Sequence, residues 1–196
     1  MQIVRLDPAR LHEASDVLAR AFHADPAWRW VIPDEERRGR LLPWLFRVGF
    51  EVTVADVWTT EGPILGAARW LPPGRAPMRV APALRAFVAT PMRLGQATGR
   101  FFAYGRAVEN LRAQVAPGPH WYLAGIGVDP AVRRRGVGTA LLAPGIAGAR
   151  REGVRAVLLT NSEANLTFYE RAGFRVVAEG ETPQGGPHAW AMVRDP

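Results

Sequence analysis

Residues 125 to 142, Gly-Ile-Gly-Val-Asp-Pro-Ala-Val-Arg-Arg-Arg-Gly-Val-Gly-Thr-Ala-Leu-Leu, place glycines and three consecutive arginines in one short turn between an apolar run and a helix-forming one. A turn that ends a strand and opens a helix leaves several backbone N–H groups without intrahelical partners, at a point where the helix dipole favours negative charge. Gly136 and Gly138 permit tight curvature and close approach of a phosphate, and a side chain at Gly138 is expected to fill the space meant for it. Arg133, Arg134 and Arg135 add charge in a forked geometry that matches phosphate oxygens. The segment predicts a cradle for a small phosphate-bearing ligand. Duplex nucleic acid asks for a broader basic surface than one arginine triplet, so no nucleic-acid partner is expected. The three-glycine dinucleotide pattern is not met at the first strand, and a P-loop lacks its lysine.

Composition narrows the chemistry further. The chain has 196 residues, 48% of them hydrophobic, and its 20 glycines follow no period of three, which excludes disordered and collagen-like polymers. Without cysteine, disulfides, thiol nucleophiles and thiolate metal sites are excluded, and no metal is expected. All 25 basic residues are arginine, so Schiff-base lysine chemistry is excluded too. Against 18 acids they leave a net charge of +7, a modest surplus that suits anionic ligands. Residues 62–108 hold Arg69, Arg75, Arg79, Arg85, Arg93, Arg100 and Arg106 and no Asp or Glu. This electropositive sector reads either as a funnel for an anionic cofactor or as a surface packed on acidic helices. The N-terminus has no apolar signal-peptide core and no run of 18 apolar residues occurs, so no membrane partner and a cytoplasmic location are expected.

Periodicity then supplies the elements that must position the cradle. Ile3–Leu6 reads as a strand, and Asp7-Pro8 starts a helix with Leu11, Ala14, Val17, Leu18, Ala21 and Phe22 on one face, ending near Asp25-Pro26. Trp28, Trp30, Val31 and Ile32 read as a loop, followed by a helix over about 35–49. Thr53–Thr59 and Ile64–Leu71 read as a hairpin, and 83–94 and 98–114 as helices broken around Thr90-Pro91 and Gly99. A strand at 121–128, a helix at 137–151, a strand at Ala156–Thr160, a helix at Ala164–Ala172 and strands at Phe174–Glu179 and Ala189–Val193 complete the pattern. It predicts one α/β domain over 1–196, with a mixed sheet of about seven strands flanked by helices.

Two stretches carry a family resemblance. Arg133-x-x-Gly136-x-Gly138 resembles the acetyl-CoA pyrophosphate-binding motif of the GNAT N-acetyltransferases, and Asn165-Leu-Thr-Phe-Tyr169-Glu-Arg-Ala-Gly-Phe resembles that family's second signature. Within the family the look is that of the puromycin N-acetyltransferase-like group. It rests on His-Trp-Tyr-Leu-Ala-Gly-Ile-Gly-Val before the first motif, Leu-Leu-Ala-Pro-Gly in its helix, and Gly-Gly-Pro-His-Ala-Trp-Ala-Met near the end. The resemblance covers 120–194, is diffuse over 1–60 and faint over 61–118. It implies a mostly antiparallel, twisted GNAT-like sheet, with 119–196 as the acetyl-CoA-binding core and 1–118 mainly as the acceptor side. It further implies an acetyl-CoA site made of Ile126, Gly127, Val128, Arg133, Arg134, Arg135, Gly136, Val137, Gly138, Thr139, Asn165 and Tyr169. In that reading a bulge splays the strand at Gly125–Val128 from its neighbour, Asn165 bonds the pantetheine arm, and Tyr169 is the acid that protonates the departing thiolate.

The implied reaction is N-acetylation of a primary amine on a small molecule, by direct attack through a tetrahedral intermediate, which needs no protein nucleophile. The amine must lose a proton, and the candidate bases are Glu109, His120, Asp25, His23 and Glu35, of which Glu109 and His120 are favoured by their approach to the central strand. Where the close group commonly runs Leu-Glu-Thr-Ser, this chain has Leu158-Leu159-Thr160-Asn161, which points to a different or less cationic acceptor. Acetylation of a protein or peptide, and a non-catalytic acyl-CoA-binding domain, are the alternatives. A homodimer is compatible with the sequence.

Overall fold

Side-chain alternation along the central strand β4 (His120–Val128) decides the layering of the molecule. Trp121 and Leu123 project to one face of the sheet, where they pack with Leu141 and Leu142 of helix α6 (Val137–Arg151). Tyr122 projects to the other, against Ala116, Val157 and Val193. The computed structural model describes residues 1–52, 56–74 and 79–196; the expected strand start at 53–55 and Arg75 lie outside the described residues.

Seven strands form one sheet in the order β1 (Ile3–Arg5), β2 (Asp56–Thr60), β3 (Gly66–Leu71), β4, β5 (Arg155–Thr160), β7 (His188–Arg194) and β6 (Arg175–Glu181). Every neighbouring pair is antiparallel except β4 and β5. That parallel ladder runs only from His120 opposite Arg155 to Leu123 opposite Leu158. Beyond it β4 stays paired to β3 alone, through Val128 opposite Gly66. The β3–β4 register shifts between Arg69, opposite Gly125, and Trp70, opposite Leu123, so Ala124 is the extra residue of a bulge. The expected splay is therefore present and begins one residue earlier than the sequence placed it.

Helices cover both faces. Helix α1 (Leu11–Phe22) buries Ala14, Val17 and Leu18 against Ala67, Ile64 and Phe50, on the face opposite α6. Outside α1 lie α3 (Glu35–Val52) and α4 (Val80–Leu94), while α5 (Thr98–Val115) packs under β5, β6 and β7. The short α7 (Leu166–Arg171) sits beside α6 and contributes Tyr169 to the same core. Helix α4 starts earlier than expected and runs through Pro91, turning only at Gly95, whose φ is 47°.

One expectation is corrected here. The segment 26–31 is not a loop but helix α2 (Pro26–Val31). Asp25-Pro26 is a helix start, because the Asp25 carboxylate accepts the Ala27 N–H at 2.9 Å and proline at the first position gives up no helical hydrogen bond.

Helix α6 approaches the sheet so closely that Gly145 and Gly148 sit directly on the indole rings of Trp70 and Trp121. A Cβ at Gly145 lands inside the Trp70 ring system, and Trp70 is fully buried. Gly145→Ala is therefore expected to destabilise the fold by about 1–3 kcal/mol through overpacking. In contrast, Gly105→Ala within α5, where a Cβ meets nothing within 4 Å, is expected to stabilise by about 0.5–1 kcal/mol. Thermal melts of the two variants check both signs.

Candidate active site

The cradle is built at the exit of β4. Asp129 caps a 3-10 turn over Pro130–Val132 by accepting the Ala131 N–H at 3.0 Å, and its other oxygen takes the Arg20 guanidinium of α1 at 2.6 Å. These two contacts hold the Asp129 carboxyl below the usual carboxylate range and tie the turn to α1. Arg133 then donates to the Ala21 carbonyl at 3.2 Å. Arg134 and Gly136 take left-handed backbone conformations, φ 63° and 77°, and a non-glycine residue there costs roughly 1–2 kcal/mol. The first α-helical hydrogen bond past this point is Ala140 N–H to Gly136 C=O at 3.0 Å. Consequently the N–H groups of Val137, Gly138 and Thr139 have no intrahelical acceptor, no side chain caps them, and no acid lies in the first turn. Such a set of free amides fits a pyrophosphate.

Gly138 meets a constraint besides the expected one. A Cβ there meets the ring of Phe168 at 3.2 Å, so a side chain presses on the contact between α6 and α7. At Gly136 a Cβ meets nothing within 4 Å, and its positive φ is what calls for glycine.

From the cradle a cleft of about 820 Å³ runs along the open side of β4. The Asp129 N–H bonds Leu65 O of the β3 side at 2.8 Å, and strand alternation then turns the main-chain groups of Ile126 and Val128 the other way, into the gap left by β5. Ile126, Gly127, Val128, Arg133, Arg134, Gly136, Val137, Gly138, Thr139, Asn165 and Tyr169 all line this cleft; Arg135 is exposed outside it. Asn165 stands at the N-cap position of α7, yet its side chain makes no capping bond and remains available to a ligand. Tyr169 is 6% exposed, packed against Phe168 and Phe174, and its hydroxyl has no hydrogen-bond partner among the described residues. Burial, and next the nearby Asp25 carboxylate, push its phenol well above the ordinary range, so it keeps its proton.

Asp25 is the acid of the cleft. It lines the wall opposite Asn165, and burial pushes its carboxyl up against the opposing pull of the Ala27 and Trp28 N–H groups. The phenols of Tyr104 and Tyr169 both feel its charge. What fixes the turn that presents it is Arg38 of α3, itself 5% exposed. Its guanidinium donates to the carbonyls of His23 at 2.7 Å, Ile32 at 2.8 Å and Pro33 at 3.0 Å, spanning α2 from end to end. Behind α2, Trp28 packs on Phe46 and Phe101 in a cluster that includes Tyr104, Trp30 and Trp44. Phe102, by contrast, is half exposed. Tyr104 donates to Asn161 Oδ1 at 2.7 Å, and the Asn161 amide donates to the His188 carbonyl at 2.7 Å, bracing α5 against β5 and β7. Asn161 and Arg38 escape sequence reading because their partners are distant in the chain and their own neighbours form no motif.

Glu109 and His120 are not brought to the cleft. His120 begins β4, six residues and on the order of 20 Å from Ile126. Its Nδ1 donates to the Gly118 carbonyl at 2.7 Å and its Nε2 accepts from Arg112 at 2.8 Å, while Glu109 forms an ion pair with the same Arg112. All three are occupied with one another at the far end of the strand. The arginine-rich sector is not the cofactor funnel either. Arg93 stacks on Trp44, Arg100 stacks on Trp30, and the arginines lining the cleft are Arg133, Arg134 and Arg171. Among the described residues no cluster of acids and histidines is arranged to hold a metal, and no helix is long and apolar enough to cross a membrane.

Comparison with known proteins agrees with this geometry. Residues 52–174 match the acetyltransferase (GNAT) family, a span that includes the cradle, the open edge of β4 and Tyr169. The fold is similar to that of the histone acetyltransferase HPA2 and related acetyltransferase from Corynebacterium glutamicum, at 25% identity and a TM-score of 0.70, covering 100% of this chain and 96% of that one. Drosophila melanogaster polyamine N-acetyltransferase shares the fold at 15% identity and a TM-score of 0.60, covering 100% and 99%. The ribosomal-protein-alanine N-acetyltransferase of Brucella melitensis does so at 18% and 0.55, covering 100% of each chain. With well over half of its length matched, and with the free amides and split sheet in place, the chain belongs to the GNAT family of acetyltransferases.

Proposed function

We propose that the protein transfers the acetyl group of acetyl-CoA to a primary amine on a small molecule, by direct attack of the amine on the thioester. One observation carries this reading: the phosphate cradle, the free edge of β4, a half-buried carboxyl and a buried phenol all line the same cleft. The amides of Val137, Gly138 and Thr139, with Arg133, Arg134 and Arg171 around them, hold the pyrophosphate. The main-chain groups of Ile126 and Val128 and the side chain of Asn165 hold the pantetheine arm. Acetyl-CoA supplies an activated thioester, so neither a protein nucleophile nor a metal is called upon.

Each remaining task falls to a residue of this chain. Asp25 takes the proton from the incoming ammonium, and its raised pKa brings it closer to neutral pH, where a carboxylate base is more effective. A main-chain N–H on the open edge of β4 faces the carbonyl oxygen as negative charge develops there. Tyr169 gives its proton to the sulfur as the carbon–sulfur bond breaks, and its elevated pKa returns the phenolate to the neutral form at once. The aromatic cluster of Trp28, Phe46, Phe101 and Tyr104 packs behind α2, next to the turn that presents Asp25, and supports a small acceptor in this reading.

Three outcomes are expected. Asp25→Asn preserves the helix cap, since Asn and Asp cap equally well, and removes only the charge. Its Tm at neutral pH should hold or rise while kcat falls by about 10²-fold or more. In the parent enzyme the acid limb of kcat/KM should lie above the ordinary aspartate range, with activity lost as pH falls through the raised pKa, and the variant should lack that limb. Stability runs the opposite way. A carboxyl whose folded pKa is raised favours the fold most below its unfolded pKa and loses that contribution as pH rises through the folded value.

Tyr169→Phe should lower kcat by about 10²-fold with little change in the KM for acetyl-CoA, as measured by steady-state kinetics. For the cradle, Gly138→Val should weaken acetyl-CoA binding and lower Tm together, because the new side chain pushes on Phe168. Adding Phe168→Ala should relieve both, with a coupling of about 1 kcal/mol in a calorimetric double-mutant cycle. Independent, additive losses would mean that the side chain meets the phosphate instead.

A further inference from the structure

Arg38 and Arg69 are both largely enclosed by protein, and they are treated in opposite ways. Arg38 spends its guanidinium on three carbonyl oxygens. Arg69, in the middle of β3, has no hydrogen bond and no ion pair among the described residues, and its Nε is sealed from solvent without a partner. The residues outside the description, Thr-Val-Ala at 53–55 and Arg-Ala-Pro-Met at 75–78, contain no carboxylate to neutralise it. A guanidinium surrounded by protein and left unpaired is costly, and burial pushes its pKa down to about 10.

Its surroundings give that cost a purpose. Arg69 lies opposite Gly125, next to the bulge at Ala124 where β4 leaves β5. Alternation with Trp70, which faces α6, sends it to the α1 and α3 face, where its Nη1 comes within 3.3 Å of where a Cβ on Gly49 would stand. Arg69 is not fully buried, so it keeps some contact with solvent. Tyr122 is its electrostatic neighbour, and the Tyr122 hydroxyl also has no hydrogen-bond partner among the described residues. Arg69 and Tyr122 thus stand on the same face of the sheet, the face that α1 covers before the chain reaches Asp25.

We propose that Arg69, together with the Tyr122 hydroxyl, recognises a carboxylate on the acceptor, so that the preferred substrate is an amino-carboxylate rather than a simple amine. The inference rests on the amine-acetylation reading for its consequence in catalysis. One guanidinium offers a planar fork and a single positive charge, which matches a carboxylate; a phosphate dianion would bring a second charge, and the next guanidinium, Arg112 on the Tyr122 ring, is already paired with Glu109. With its carboxylate on Arg69 and its ammonium toward Asp25, such an acceptor brings each buried charge a partner of opposite sign. Leu159, at the position where related enzymes commonly carry a glutamate, packs with Leu111 and Ala191 and offers a cationic acceptor nothing.

The test pairs each amine with its carboxylated counterpart: phenethylamine with phenylalanine, and n-alkylamines with ω-amino carboxylates of equal chain length. In the full chain with acetyl-CoA, at least one carboxylated partner should show a kcat/KM about tenfold or more higher, mainly through KM, and Arg69→Gln should bring that ratio close to one. Hydrocinnamate, which has the carboxylate and no amine, should bind the parent protein by calorimetry and not Arg69→Gln. Arg69→Met should melt at or above the parent temperature, because an uncompensated charge has been removed. If no carboxylated partner is preferred and hydrocinnamate binds both proteins alike or neither, the carboxylate site is overturned while amine acetylation stands. Arg69-dependent hydrocinnamate binding without acetylation of any amine leaves the site and sinks the amine reading. A Tm of Arg69→Met well below the parent would show the guanidinium to be a structural group and would overturn the inference.

Discussion

Separation of β4 from β5 after Leu123 is the constraint on which the rest of the molecule depends. Two parallel strands in the middle of a sheet normally stay paired to their ends, because an unpaired buried main-chain group is expensive. Here the bulge at Ala124 turns β4 away while β3 continues to satisfy its other edge. The main-chain groups left over at Ile126 and Val128 line the cleft without a strand partner on that side. Helix α6 must then start where the open strand ends, so its unsatisfied amides and the open strand edge line one continuous cleft. The close approach of α6 to Trp70 and Trp121 fixes that helix against the paired part of the sheet, and thereby fixes where its N-terminus points.

Electrostatically the transfer region is a place where protons are held rather than shed. Asp25, Tyr104, Tyr122 and Tyr169 are all shifted upward, with desolvation as the leading cause in every case. Each therefore favours its neutral form more than it would in water. For the tyrosines that means a donor which stays a donor. For Asp25 it means a carboxylate that is a stronger base than an exposed one, held in place by the same N-cap bond that starts α2. Arg38 supports this from behind without entering the cleft, since three carbonyl acceptors keep its charge occupied.

Much of the turn that opens α6 was legible in the sequence because its signals are local. The cradle needs a glycine with positive φ, arginines and a helix start within a few residues, and all of them lie between Arg133 and Thr139. Asp25-Pro26 was legible as punctuation but was read as a helix stop, since the same pair ends one apolar pattern and begins another. The acid of the cleft was hidden for a different reason. Nothing in the residues around Asp25 distinguishes it from Glu109, and the difference arises only when α2 folds over the open strand while Glu109 is drawn to Arg112. Gly138 carries a constraint that its neighbours in sequence do not show. Phe168, thirty residues away in sequence, arrives at 3.2 Å from where a Cβ would stand.

Absence of lysine sharpens the way charge is used. Every cation in the chain apart from the N-terminus and any protonated histidine is a guanidinium, able to stack on an indole or fork onto an oxyanion. Arg93 and Arg100 take the first course on Trp44 and Trp30, stiffening the acceptor wall without adding charge to the cleft. Arg20 and Arg133 take the second, each tying α1 to the cradle through oxygen acceptors on the opposite element. Against this background Arg69, whose enclosed Nε meets neither an indole nor an oxygen among the described residues, stands apart. Its place beside the split in the sheet is the ground for reading it as a recognition group rather than a structural one.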